Sequence, residues 1–139
     1  MQEPRYSDVK VGDELPRLTL PAISRTTLAL YAGASADHNP IHIDQDFARK
    51  SRMPDVFAHG MLSAAYIGRL LTGWVGQERI RSLSLRFTGI THLYNVPTCS
   101  GRIVEKFEKD GEKRVRIAVK SANQYGEEKV IGEAVVALV

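Results

Sequence analysis

The sequence predicts an α+β domain in which a curved antiparallel sheet wraps a buried helix, and three observations lead there. From Arg79 onward, apolar residues recur at every second position: Leu83, Leu85 and Phe87, then Val115, Ile117 and Val119, then Ala134, Val136 and Leu138. That is the period of half-buried strands. Between Met61 and Trp74, the residues Met61, Leu62, Ala64, Ala65, Ile67, Leu70 and Leu71 spread so far around a helix that most of its circumference must be covered. Finally, 139 residues without a repeat, a low-complexity stretch or a linker fit one domain, residues 1–139, able to bury a core without disulfides or metal.

In chain order, a first strand is expected near Leu15 to Leu20. Ser24 is an N-cap for a helix that places Leu28, Tyr31 and Ala32 on one face and ends near Ser35. Asp44 caps a short helix over Gln45 to Lys50. The long helix follows, with Ala64 and Gly68 small enough to let it approach the sheet. Four strands arranged as a meander complete the domain. Asp110-Gly111 marks a hairpin between a strand ending near Phe107 and one starting near Lys113, and Tyr125-Gly126 precedes the last strand.

Composition narrows the function classes. The chain is 43% apolar and 25% charged, with 19 Lys+Arg against 16 Asp+Glu, and its basic residues are dispersed. Dispersed charge speaks against nucleic acid as a partner, while a phosphate-bearing small molecule remains compatible. Cys99 is the sole cysteine, so neither an intramolecular disulfide nor a cysteine zinc site is expected. The N-terminal residues Met1 to Arg5 lack a signal-like apolar run, and Met61 to Leu71 is too short to cross a bilayer. A cytoplasmic protein without a membrane partner is the expectation.

Chemistry concentrates in Tyr31 to Asp44, which gathers two histidines and two aspartates around Pro40. Proline interrupts helix and pushes Asn39 toward an extended backbone. The chain must turn between Asp37 and His42, letting a carboxylate and an imidazole converge as an acid/base pair. The plainer alternative is that Asp37 caps the turn, Asn39 makes an Asx bond and His42 is merely half-buried. His38, His42, Asp44 and His59 could also be gathered around a metal, but Pro40 removes the helix that an i, i+4 histidine pair requires, and no metal is expected. Downstream, Phe57-Ala58-His59-Gly60-Met61 opens the long helix. A glycine there offers an unpaired N–H that would stabilise a developing oxyanion, or simply permits a tight entry into the helix.

These residues resemble the MaoC-like dehydratase family, of the (R)-specific enoyl-CoA hydratase type. Tyr31, Ser35, Asp37, Asn39, Pro40, Ile41, His42 and Ala48 match its hydratase motif in register, followed by Ala58-His59-Gly60-Met61. Ala36 replaces the glycine that usually precedes the aspartate, which disfavours a positive φ there. The resemblance extends from about Tyr6 to the end. It implies a hot-dog fold of about five strands and reversible hydration of a trans-2-enoyl thioester of coenzyme A or acyl carrier protein to the (R)-3-hydroxyacyl thioester.

In that reading Asp37, His42 and Gly60 are catalytic: the pair holds one water, and the Gly60 N–H takes the thioester carbonyl. Asn39, Met53, Phe57, His59 and Leu62 are the candidate substrate-binding residues, Asn39 by fixing the loop or the water and His59 through its place beside Gly60. Ser35 is assigned packing, His38 a solvent-facing loop position and His92 a turn. Arg81, Arg86 and Arg102 are candidates for coenzyme A phosphates. No redox cofactor is implied, since hydration moves no electrons and coenzyme A belongs to the substrate. A homodimer or higher oligomer is implied. Alternatives within the fold are a non-catalytic acyl-thioester-binding subunit of a hetero-oligomeric dehydratase and a thioesterase.

Overall fold

The computed structural model describes residues 2–139. Strands β1 (Leu18–Thr19), β2 (Ile80–Phe87), β3 (Thr98–Lys109), β4 (Glu112–Ala122) and β5 (Glu128–Leu138) and helices α1 (Arg25–Ser35), α2 (Gln45–Lys50) and α3 (Gly60–Thr72) form one five-stranded sheet with the helices on one side. The strand order is β1-β3-β4-β5-β2 and all pairings are antiparallel. The expected meander holds only for β3, β4 and β5. Strand β2 crosses over to pair with β5, because the ten residues from 88 to 97 are too many for a hairpin and are used to back the functional loop instead.

Alternation decides which face is covered. Cys99 and Ile103 of β3, Val115, Ile117 and Val119 of β4, and Val130, Ala134 and Val136 of β5 are buried against Ile67, Leu70 and Leu71 of α3. Burying each larger side chain is worth roughly 1.5–3 kcal/mol. Asp110 and Gly111 take φ of 54° and 75°, the two left-handed residues of a tight hairpin turn. The first strand shrinks to two residues. Pro16 has no N–H for the ladder, leaving only an isolated bridge between Glu14 and Arg102 ahead of it.

Two expectations about α3 need correction. Met61 is 62% exposed and Ala65 is exposed, because the sheet and the α1–α2 region cover two sides and leave a stripe through Met61, Ala65, Gly68 and Thr72 outward. Gly68 does not mark close approach to the sheet: a Cβ there would meet nothing within 4 Å. The close point is Gly101 of β3, where a Cβ would lie 3.6 Å from Leu70 and 3.3 Å from Leu15. On the edge strand β2, Leu83 and Phe87 stay 39% and 50% exposed, since α3 reaches only part of that strand.

Candidate active site

Helix α1 begins where Ser24 accepts from the Thr27 N–H at 3.0 Å and ends at Ala36, which sits in the left-handed region at φ 59°, ψ 17°. The position thus adopts the conformation that alanine disfavours, at a cost of roughly 1–2 kcal/mol. Ser35 Oγ donates to the Tyr31 carbonyl at 2.7 Å and accepts from the Asp37 N–H at 3.2 Å, fastening the helix end to the loop. Asn39 N–H donates to Asp37 Oδ1 at 3.3 Å, while Asn39 Oδ1 accepts from the Ile41 N–H at 3.1 Å and caps a one-turn 3-10 helix over Pro40–His42. Asn39 therefore shapes the loop. Asp44 in turn caps α2 by accepting from the Asp46 and Phe47 amides.

This turn brings Asp37, His42 and His59 together, with a carboxylate oxygen of the first and a ring nitrogen of each histidine all within 4.8 Å of one another. Asp37 is exposed, His42 half-buried and His59 buried. His42 Nδ1 lies 2.8 Å from the Phe57 carbonyl. A carbonyl only accepts, so Nδ1 carries the proton and neutral His42 keeps its lone pair on Nε2. The Phe57 ring stands edge-on to His42, 5.0 Å away at 82°. A water hydrogen-bonding to two acceptors at about 2.8 Å spans about 4.5 Å between them, a separation that the 4.8 Å limit on this cluster admits.

His59, 1% exposed, lies beneath the pair rather than at the surface. Its ring stacks on His42 at 4.0 Å and 27° and meets Tyr31 edge-on at 4.8 Å, and its Nε2 donates to the Asp37 carbonyl at 3.1 Å. Burial pushes the His59 imidazole below its ordinary pKa, which the bond to Asp37 opposes and His42 reinforces. Burial also raises the Tyr31 hydroxyl, helped by Asp37. The stack does not suit a shared metal, because nearly parallel imidazoles point their in-plane lone pairs alongside each other instead of at one centre. Asp44 is occupied as a cap and His38 is exposed, so neither extends the cluster.

Gly60 directly follows His59 and is the first residue of α3, where an N–H has no intrahelical acceptor and the helix dipole favours negative charge. A Cβ on Gly60 would come within 3.2 Å of the Phe87 ring, so the end of β2 flanks the helix start. Leu62 is buried and Met53 half-buried. They pack with Ile23, Leu28, Ala48, Val56, Ala58 and Leu93 in a second apolar cluster below the loop.

The sequence reading missed Asp55. Its carboxylate takes both Arg25 guanidinium nitrogens at 2.9 and 2.6 Å, Gln45 Nε2 at 3.0 Å and the Val56 N–H at 2.7 Å, joining α1, α2 and the segment leading to His59. Arg25 holds this carboxyl well below the usual range. No motif marks it, since its partners are 30 and 10 residues away. Segment 91–93 backs the same region: the Ala58 N–H donates to the Thr91 carbonyl, and Phe57 bridges His92. A groove of about 770 Å³ lies on the sheet face turned away from α3 and is lined by Arg17, Arg86 and Arg102. It excludes Asp37, His42 and Gly60. Arg81 is bound instead to Glu112 at 2.9 and 2.6 Å.

A hot-dog domain with an Asp/His pair at the head of its wrapped helix is the class that fold and site define. The chain belongs to the family of the MaoC like domain, whose model matches residues 9–125. It is 36% identical over 66 residues to an (R)-specific enoyl-CoA hydratase of Rhodospirillum rubrum, covering 48% of this chain and 44% of that protein. It is 29% identical over 115 residues to the fatty acid synthase subunit beta of Saccharomyces cerevisiae, covering 75% of this chain and 6% of that one. The chain thus spans less than half the length of these curated relatives. Among solved structures, the unliganded R-hydratase PhaJ1 of Pseudomonas aeruginosa superposes with TM-score 0.85 at 31% identity, covering 96% of this chain and 84% of that one. The ChsH1-ChsH2 complex of Mycobacterium tuberculosis gives 0.79 at 26% identity, covering 94% and 98%.

Proposed function

We propose that this domain catalyses reversible hydration of a trans-2-enoyl thioester to the (R)-3-hydroxyacyl thioester. The observation that carries the proposal is the convergence of Asp37 and His42, a carboxylate oxygen of one and a ring nitrogen of the other within 4.8 Å, with Gly60 opening α3 directly after His59 of the same cluster. Each of the pair accepts one hydrogen of a water, turning its oxygen lone pair toward C3. As the C3–O bond forms, one water O–H breaks, its proton passes to the pair with Asp37 as base, and the C2=C3 electrons move into the thioester, whose oxygen gains charge against the Gly60 N–H. The pair returns that proton to C2 and ends as it began. The (R) configuration and the thioester class are carried over from the similar hydratases, and the acyl carrier is either coenzyme A or acyl carrier protein.

The partner we propose is a second copy at edge strand β2, whose backbone edge is unpaired and whose Leu83 and Phe87 are half-exposed. The likeness to the heteromeric ChsH1-ChsH2 complex makes a different subunit there the competing outcome, read from mass measurement of the purified chain.

The test is loss of enoyl-thioester absorbance with crotonyl-CoA and a longer trans-2-enoyl-CoA, with chiral analysis of the product. Turnover to the (R)-alcohol that falls about 10²–10⁴-fold in Asp37→Asn, with unchanged thermal unfolding, supports the proposal. A folded homo-oligomer that binds acyl-CoA without turnover overturns it in favour of a binding subunit.

A further inference from the structure

His59 contacts both members of the proposed pair without occupying the position of either. Its Nε2 reaches the Asp37 carbonyl at 3.1 Å, and its face lies 4.0 Å from the His42 ring. The groups around the ring are Asp37, His42 and Tyr31. Nδ1 is buried with no hydrogen-bond partner among the described residues, which a neutral ring tolerates and a protonated one would not, since it would bury an unpaired cationic N–H. The carbonyl of Asp37 fixes the tautomer, because it accepts and cannot donate.

Resting on the hydratase reading, we propose that His59 is a positioning residue: neutral and fixed as the Nε2–H tautomer, it ties the Asp37 backbone to the His42 ring and sets their separation. The arrangement extends along the chain, because the residue after His59 supplies the N–H for the thioester. One side chain and its neighbour thus register all three catalytic groups, two of them from a loop and one from a helix start. Other residues hold one member each: the Phe57 carbonyl accepts from His42 Nδ1 at 2.8 Å and Ser35 Oγ accepts from the Asp37 N–H at 3.2 Å, whereas His59 touches both.

Two variants separate its contacts. His59→Gln keeps an N–H donor and removes the ring, while His59→Phe keeps a ring against His42 and removes the donor. Nitrogen-15 spectra of the wild-type imidazoles are expected to show His59 neutral with the proton on Nε2, and the His42 titration is expected to move in both variants. With trans-2-enoyl-CoA, kcat is expected to fall on the order of 10²-fold in each while KM stays within about threefold. A proton on Nδ1 of His59, or an unmoved His42 titration with unchanged kcat, overturns the inference. If a variant fails to fold, the wild-type tautomer decides. Absence of wild-type turnover overturns the hydratase reading alone, since the spectra judge the positioning role without substrate.

Discussion

The two apolar clusters do different work. The larger one, between sheet and helix, is assembled from alternating strand residues such as Val115, Ile117 and Val136 against Ile67 and Leu71. The smaller one, Ile23, Leu28, Ala48, Val56, Ala58, Leu62 and Leu93, contains no named strand. It depends on polar fasteners: the Ser24 and Asp44 caps, the Ser35 bridge and the Asp55 clamp. Helix α3 joins them, its first turn sending Leu62 into the small cluster and its later turns sending Ile67, Leu70 and Leu71 into the large one. Bulk stability and the positioning of the proposed Asp37/His42 pair are thereby separated along one helix, so substitutions at its head and its tail are expected to have different signatures.

Among substitutions along α3, the largest expected effect is on activity alone. In Gly60→Pro the N–H is removed at a first helical position that tolerates proline, and His59, at φ −58° and ψ 137°, already has a backbone suited to the residue before proline. We expect kcat/KM to fall about 10²–10³-fold with little change in melting temperature. Gly60→Ala is the control that keeps the N–H and only nudges Phe87, and equal losses in the two would remove the oxyanion role.

Next come the clusters themselves. Ile117→Ala and Leu28→Ala, both at 0% exposure, are each expected to cost about 2–5 kcal/mol in denaturant unfolding. Only Leu28→Ala should also lower kcat of the protein that remains folded. Proportionate kcat losses in both would show that the clusters are not functionally separable.

Acid should loosen the small cluster in two stages. The lowered pKa of His59 means that the unfolded chain takes up a proton first, so stability falls as pH drops below about 6.5. The lowered pKa of Asp55 contributes stability that is present above its unfolded value, about 3.9, and is lost as pH falls toward the folded one. Unfolding midpoints measured from pH 7 to 3 check this, and His59→Phe should remove the first stage.

The smallest effect is a gain. Ala36→Gly relieves the left-handed strain but adds freedom to the unfolded chain, and a net stabilisation of up to about 1 kcal/mol is expected in thermal unfolding. A loss would mean that the alanine methyl packs usefully at the helix end.

Much of this was legible locally. The period-two runs, the Asp110-Gly111 turn, the Ser24 and Asp44 caps and the proline-driven turn between Asp37 and His42 are each written within a few residues, where sterics and hydrogen bonding act directly. The crossover of β2 and the exposed stripe of α3 were not, because apolar character states that a residue is coverable and not which neighbour arrives to cover it. His59 and Asp55 mark the same boundary in the site. The sequence by itself determined the fold class, the family resemblance and the turn that allows Asp37 and His42 to meet. Only the tertiary structure decided that His59 lies under that pair and that Asp55 clamps α1 to α2, since those contacts join segments 10 to 30 residues apart whose meeting depends on how the whole chain packs.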